Sequence, residues 1–236
     1  MQDLLTHGID EHGQIRTEAT HEFKGSPLCR VPVEWEVVSL KGIGDVKTPY
    51  LKTGPFGSSL KISDWVDYGV PVVTIGSLGD NDFIEKELLH IGEKKANELS
   101  SYRLNVGDLV FSRVAGVGRS LVIKELQEGW VMSSNFMRIR LNPSLYSFDF
   151  LHLIVKYSDF LKVQQSRFVN SSGRTVVNSS ILNSFHFPQP ALSEQLSILD
   201  RINKLTVSEE NLTLNLAKLQ TLKKALMQDL LSGPGA

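Results

Sequence analysis

The pentapeptide Met-Gln-Asp-Leu-Leu stands twice in this chain, at Met1–Leu5 and at Met227–Leu231. Five identical residues spaced by nearly the full 236-residue length mark a repeat whose period is the chain itself. Repeats restrict architecture more than any other sequence feature. Such a chain reads as one unit of a head-to-tail tandem, with Met1 lying where the last helix of a preceding unit would finish. One unit of this kind is expected to pair with a second copy of itself.

The segment that carries the second pentapeptide supplies a means of pairing. Pro190 is followed by Ser193-Glu-Gln, a helix start with acid in its first turn, and Gly233 and Pro234 stand where a helix would stop. A helix over residues 193–231 would be about 55–60 Å long. Ile198, Leu205, Leu212, Leu219 and Leu226 recur every seven residues, and Ile202, Leu216 and Leu230 fall four further on, with Glu209 and Lys223 interrupting that second row. Sustained heptads of Ile and Leu predict a coiled-coil seam, here Ile198, Ile202, Leu205, Leu212, Leu216, Leu219 and Leu226. The competing reading is an amphipathic helix lying on its own domain.

Upstream the texture is that of a globular α+β domain. Trp35–Leu40, Gly69–Ile75, Leu109–Ser112, Ser120–Ile123, Gly129–Met132 and Phe136–Leu141 are rich in β-branched and aromatic residues and predict strands. In the last of these, Arg138 and Arg140 alternate with Met137, Ile139 and Leu141, the pattern of a half-exposed strand. Residues 145–168 predict a helix. Thr6–Val31, with Gly8, Gly13, Gly25 and Pro27, reads as a linker or surface loop, and its His7, His12 and His21 match no common zinc spacing. This gives an N-terminal join over 1–31, a mixed α/β domain over 32–190 and a long dimerisation or spacer helix over 191–236. A hydrophobic content of 41% suffices for a core. No apolar run approaches the ~20 residues that span a bilayer, no charged-then-apolar segment opens the chain, and Cys29 is the single cysteine. A reducing, cytoplasmic setting is expected.

Catalytic readings fail on their residues. Gly116-Val-Gly118-Arg-Ser lacks the lysine frame of a phosphate-binding loop, and Gly42-Ile-Gly44 opens no dinucleotide-binding unit. Asn142-Pro-Ser-Leu145 lacks the aromatic that would stack a flipped base. No catalytic set and no metal set is found. The net charge of −1 conceals an uneven distribution, because residues 101–175 hold ten Lys/Arg against five Asp/Glu. Local charge is what a phosphate backbone responds to. Three glycine-hydroxyl-basic loops accompany it: Gly54-Pro-Phe-Gly-Ser-Ser-Leu-Lys61, Arg113-Val-Ala-Gly-Val-Gly-Arg-Ser120 and Ser171-Ser-Gly-Arg-Thr175. Lys61, Arg113, Arg119 and Arg174 would contact phosphate or guanine, Ser58, Ser59 and Thr175 would supply hydroxyls, and Gly57 and Gly173 would allow close backbone approach. Ordinary turn chemistry also favours Gly and Ser. Trp35, with no basic neighbour, is assigned to the core.

The chain resembles the specificity subunit of type I restriction–modification systems. The matching segments are Pro32–Val37, Gly54–Lys61, Gly69–Ile75, Val106–Val110, Ser172–Thr175, Phe187–Gln195 and Leu226–Gly233. Each is short, but their order and spacing cover almost the whole chain. Full-length members hold two target-recognition domains and two helical spacers, and this chain has one of each. The resemblance implies a non-catalytic DNA-recognition subunit that homodimerises through its C-terminal helix and reads a gapped inverted repeat in double-stranded DNA. It implies a methyltransferase subunit carrying S-adenosylmethionine and a motor–nuclease subunit using ATP and Mg as partners, with no cofactor bound directly. The alternatives are a structural adaptor or silent remnant that only assembles partners, and a self-contained nuclease.

Overall fold

The computed structural model describes residues 1–114, 117–166 and 177–232. The chain opens with helix α1 (Gln2–Thr6) and a hairpin of β1 (Phe23–Gly25) and β2 (Arg30–Pro32). Then follow β3 (Glu36–Ser39), α2 (Leu40–Ile43), β4 (Leu51–Thr53), β5 (Trp65–Val66), β6 (Val70–Val73), β7 (Leu89–Ile91) and α3 (Glu93–Glu98). Next come β8 (Leu109–Ser112), β9 (Ser120–Val122), β10 (Val131–Met132) and β11 (Phe136–Ile139). The chain closes with α4 (Phe148–Tyr157), α5 (Asp159–Ser166), α6 (Ser179–Asn183), β12 (His186–Gln189) and α7 (Leu192–Ser232).

One four-stranded antiparallel sheet, in the order β4-β11-β8-β9, organises the domain. Both of its faces are covered. Leu109, Phe111, Met137 and Ile139 point into one cluster, with Phe150, Ile154 and Phe187, while Val110, Leu121 and Phe136 point into another, with Val73 and Met132. Alternation along a strand therefore separates two cores rather than core from water. This corrects the half-exposed strand expected over Phe136–Leu141: Arg138 is 5% exposed. It lies beside Asp108, whose carboxylate receives Arg140 at 2.7 and 2.8 Å. Burial and the neighbouring Arg140 charge push the Arg138 guanidinium down, against the pull of Asp108. The Val106-Gly-Asp-Leu-Val110 segment thus carries a buried ionic lock at Asp108: Gly107 takes a φ of +85° and Asp108 also accepts the Asn105 N–H at 2.8 Å.

Two further expectations are corrected. The helix expected over 145–168 breaks at Ser158, whose extended backbone (ψ 132°) separates α4 from α5 and whose hydroxyl donates to the Ile154 carbonyl. The stretch 6–31 is more than a loop. It carries the β1–β2 hairpin, and Ile9 and Arg16 are 7% and 9% exposed.

The joint between body and helix is built from the first turn of α7. Glu194 accepts the Ile9 N–H and the Trp35 Nε1–H, each at 3.1 Å, and pairs with Arg16. Gly8, at φ +66°, passes so close that a side chain there would strike Glu194 and Trp35. Gln195, fully buried, accepts from the Ser147 N–H at 2.8 Å and donates to the carbonyls of Leu145 (3.1 Å) and Pro190 (2.9 Å). Ile198 and Ile202 follow one and two turns later at 0% and 3% exposure. These two residues, expected on the intermolecular seam, belong to the protomer's own core. Residues 203–228 are then exposed without interruption, including Leu205, Leu212, Leu216, Leu219 and Leu226.

Candidate nucleic-acid interface

The sheet register decides where the basic loops go. β4 ends where β11 begins, since Thr53 pairs with Met137, and β8 ends there too, since Phe136 pairs with Ser112. The loops leaving β4 and β8 therefore emerge at one end of the sheet, on either side of the turn that enters β11. Arg113 donates its backbone N–H to Asn135 in that turn at 3.0 Å, and Gly54 donates to Phe136 at 2.9 Å. Gly54 packs so tightly on Ser133 that no side chain fits.

The segment that follows the third loop is tied to the same place. Gly173, Arg174 and Thr175 lie outside the described residues, but Val177 just beyond them donates its N–H to the Arg113 carbonyl at 3.1 Å and accepts the Arg113 Nε–H at 3.3 Å. Ser179 meets Thr53 hydroxyl to hydroxyl at 3.1 Å.

Gly57, Ser58 and Ser59 form a single 3-10 turn, with Gly57, Ser58 and Lys61 exposed and Ser59 half-buried. A side chain at Gly57 would meet nothing within 4 Å, so the fold itself makes no demand for glycine there. Phe56, 84% exposed, and Ile62, 91% exposed, flank the turn with apolar tips. Both lie in or next to a loop singled out from the sequence, yet neither was assigned a role there; an aromatic between Pro and Gly was the available signal.

Arg119 lines a cavity of about 260 Å³ with Gly79, Asp80, Gly118, Ser120, Lys156 and Lys162. Lys156 and Lys162 come from α4 and α5, elements with no loop signature, and no local sequence pattern foretells their approach to Arg119. Arg119 donates to the Leu78 carbonyl and Lys156 to the Asp80 carbonyl. Arg113 likewise bonds a carbonyl. Among the described residues no carboxylate pairs with Arg113, Arg119 or Lys156. Carbonyl partners orient a cation without neutralising it, so Arg113, Arg119 and Lys156 keep their charge for an outside anion, whereas Lys162 pairs with Asp159 at 3.0 Å and Asp80 adds a carboxylate to the same lining. Arg140 and Arg103 differ, being matched by Asp108 and Glu93.

His152 holds one lining residue, its Nδ1 lying 3.1 Å from the Ser120 hydroxyl. Burial first, then the charges of Lys156 and Lys124, push its imidazole down to about 4. It is neutral at neutral pH and adds nothing to the positive field. Trp35 is fully buried and hydrogen-bonded to Glu194, so it is absent from this face. No described helix is long and apolar enough to cross a membrane.

Comparison with known proteins agrees with the residues that carry the resemblance. The chain is 22% identical over 237 residues to the type I restriction enzyme MjaVIII specificity subunit of Methanocaldococcus jannaschii, covering 99% of this chain and 52% of that protein. It is 26% identical over 213 residues to the putative type I restriction enzyme MjaX specificity subunit of the same organism, covering 86% and 48%. The chain thus spans about half the length of these curated relatives. Among solved structures, the HsdS subunit from Thermoanaerobacter tengcongensis shares the fold at a TM-score of 0.60 and 18% identity, over 87% of this chain and 46% of that one. The type I restriction-modification system S subunit from M. genitalium matches at a TM-score of 0.51 and 13% identity, over 86% and 47%. The family model for the type I restriction modification DNA specificity domain matches residues 32–224, and the chain belongs to that family.

Proposed function

We propose that this chain is the DNA-reading subunit of a type I restriction–modification complex and that two copies form the working unit. The observation that carries the DNA-reading half is that the basic loops leaving β4 and β8 emerge at one end of the sheet, with Arg113 and Arg119 oriented by carbonyls but not neutralised. Lys61, Arg113 and Arg119 contact backbone or base edges, joined by Lys156. Ser58 and Ser59 supply hydroxyls, and Gly57 lets backbone approach. Arg174, Thr175 and Gly173 are proposed to join them from the third loop. Phe56 offers an apolar wedge of the kind that enters a base step. The chemistry belongs to partners: a methyltransferase subunit carrying S-adenosylmethionine and a motor–nuclease subunit using ATP and Mg.

The pairing half is supported by α7. At about 100° per residue, Leu205, Leu212, Leu216 and Leu219 lie on the same side of the helix as the buried Ile198 and Ile202. A partner helix on this seam would therefore lie on the side the domain occupies. Two parallel chains would put both domains into one space, whereas antiparallel chains put them at opposite ends. The exposed stretch 203–228 would separate the domains by about 39 Å at ~1.5 Å per residue, close to the ~34–36 Å of one duplex turn. Two-fold symmetry then makes the target an inverted repeat with a gap.

The test is to co-express the chain with its methyltransferase subunit and map the methylated sites. A split palindromic motif is expected, and a split motif with unlike halves would overturn the dimer. In the same complex Lys61→Ala, Arg113→Ala and Arg119→Ala should each weaken specific DNA binding by about 1–3 kcal/mol if they contact an edge. Unchanged binding in all three would overturn the site assignment.

A further inference from the structure

Helix α1 occupies a defined seat on the body. Leu4 and Leu5 are 2% and 0% exposed and share a buried cluster with Ile198, Ile202 and Phe160. The Gln2 side chain closes the gap between α4 and α5. Its NH2 donates to the Tyr157 carbonyl, and its carbonyl oxygen accepts the Asp159 N–H at 3.4 Å. The seat thus takes two leucines by burial and a glutamine by both ends of its amide. A five-residue helix does not hold its shape alone, so α1 depends on this seat for its form. The same five residues recur at 227–231, where the backbone is already helical as part of α7.

We infer that this seat accepts either copy of the pentapeptide: residues 1–5 of its own chain, or residues 227–231 of a second chain, exchanged within the dimer. The inference rests on the antiparallel pairing proposed above. With seams matched about their midpoint near Leu216, residues 227–231 of each α7 arrive beside residues 201–205 of the other chain, where Ile202 meets the cluster that holds Leu4 and Leu5. The chain's own copy has the advantage of a tether through residues 6–31. The second copy arrives preformed and loses less conformational freedom on docking. Identical residues, the same helical form and arrival at the same place make the second chain's tip the competing occupant.

Paired cysteines read the two states, in a Cys29→Ser background because Cys29 is an exposed free thiol. Asp3→Cys with Asp159→Cys reports the chain's own copy, and Asp229→Cys with Asp159→Cys reports the second chain's copy through a short bismaleimide; both leave the glutamines in place, and the Asp3 side chain is exposed. The second pair is expected to give covalent dimers. Evicting α1 by Leu5→Asp, or by the milder Gln2→Ala if circular dichroism shows that the first variant does not fold, should raise their yield several-fold. A chain that sediments as a dimer yet gives no 159–229 linkage, with α1 seated or evicted, overturns the exchange alone. A chain that sediments as a monomer at high concentration overturns the pairing and the exchange together.

Discussion

The first turns of α7 and its outer two-thirds are written in the same heptad alphabet, and the fold treats them oppositely. At the base, Gln195, Ile198 and Ile202 are buried, the Glu194 side chain is 13% exposed, and every polar group of the acid and amide side chains finds a named partner. Beyond Asn203 the same row of leucines meets only solvent. The difference teaches that period alone does not say who covers a seam. What distinguishes the base is the adjacent polar pair: a carboxylate and an amide can be buried only where fixed donors and acceptors await them. The outer stretch offers leucines and no such demand, which suits a partner that arrives later.

That contrast can be broken at its strongest point first. Glu194→Ala would strand the Arg16 guanidinium, 10% exposed in its side chain, together with the Trp35 and Ile9 N–H groups. Removing one partner of a buried pair costs about 3–5 kcal/mol, so denaturant unfolding should show a loss of that size. A loss below about 1 kcal/mol would mean that the joint is not locked by this carboxylate. Gln195→Ala leaves the Ser147 N–H and two carbonyls without partners and should cost about 1–3 kcal/mol by the same measurement. Leu212→Asp with Leu219→Asp should change the unfolding free energy of the dilute protomer least, by about 0.5 kcal/mol or less as befits exposed sites, while abolishing association in sedimentation. A large loss of protomer stability from that pair would show the outer helix folded back on its own body.

Much of this architecture is legible in the residues. Leu109-Val-Phe-Ser112 is a strand because β-branched and aromatic side chains fill both faces of the sheet, and the long helix announces itself from Pro190 to Gly233. The break at Ser158 is harder to read. The apolar period runs past it, and only the capping geometry of a serine before an aspartate marks the stop. Arg138 shows a second limit. Its alternation with apolar neighbours is identical for a wet face and for a face covered by a second core, so burial is decided by a layer that local sequence does not contain. The rim shows a third limit: Arg113 and Arg119 advertise themselves in a glycine-rich loop, whereas Lys156 reaches the cavity from a helix by tertiary packing alone. Ile198 and Ile202 show the last, since a heptad row states that a helix is covered and leaves open by what.

The joint at Glu194 and Gln195 acts at a distance through leverage. A rigid rod of 41 residues is about 60 Å long, so a tilt of about 3° where it leaves the body swings its far end by about 3 Å, close to the ~3.4 Å rise between successive base pairs. In the proposed pairing, the stiffness of two buried polar side chains therefore sets how many nucleotides may lie between the two half-sites.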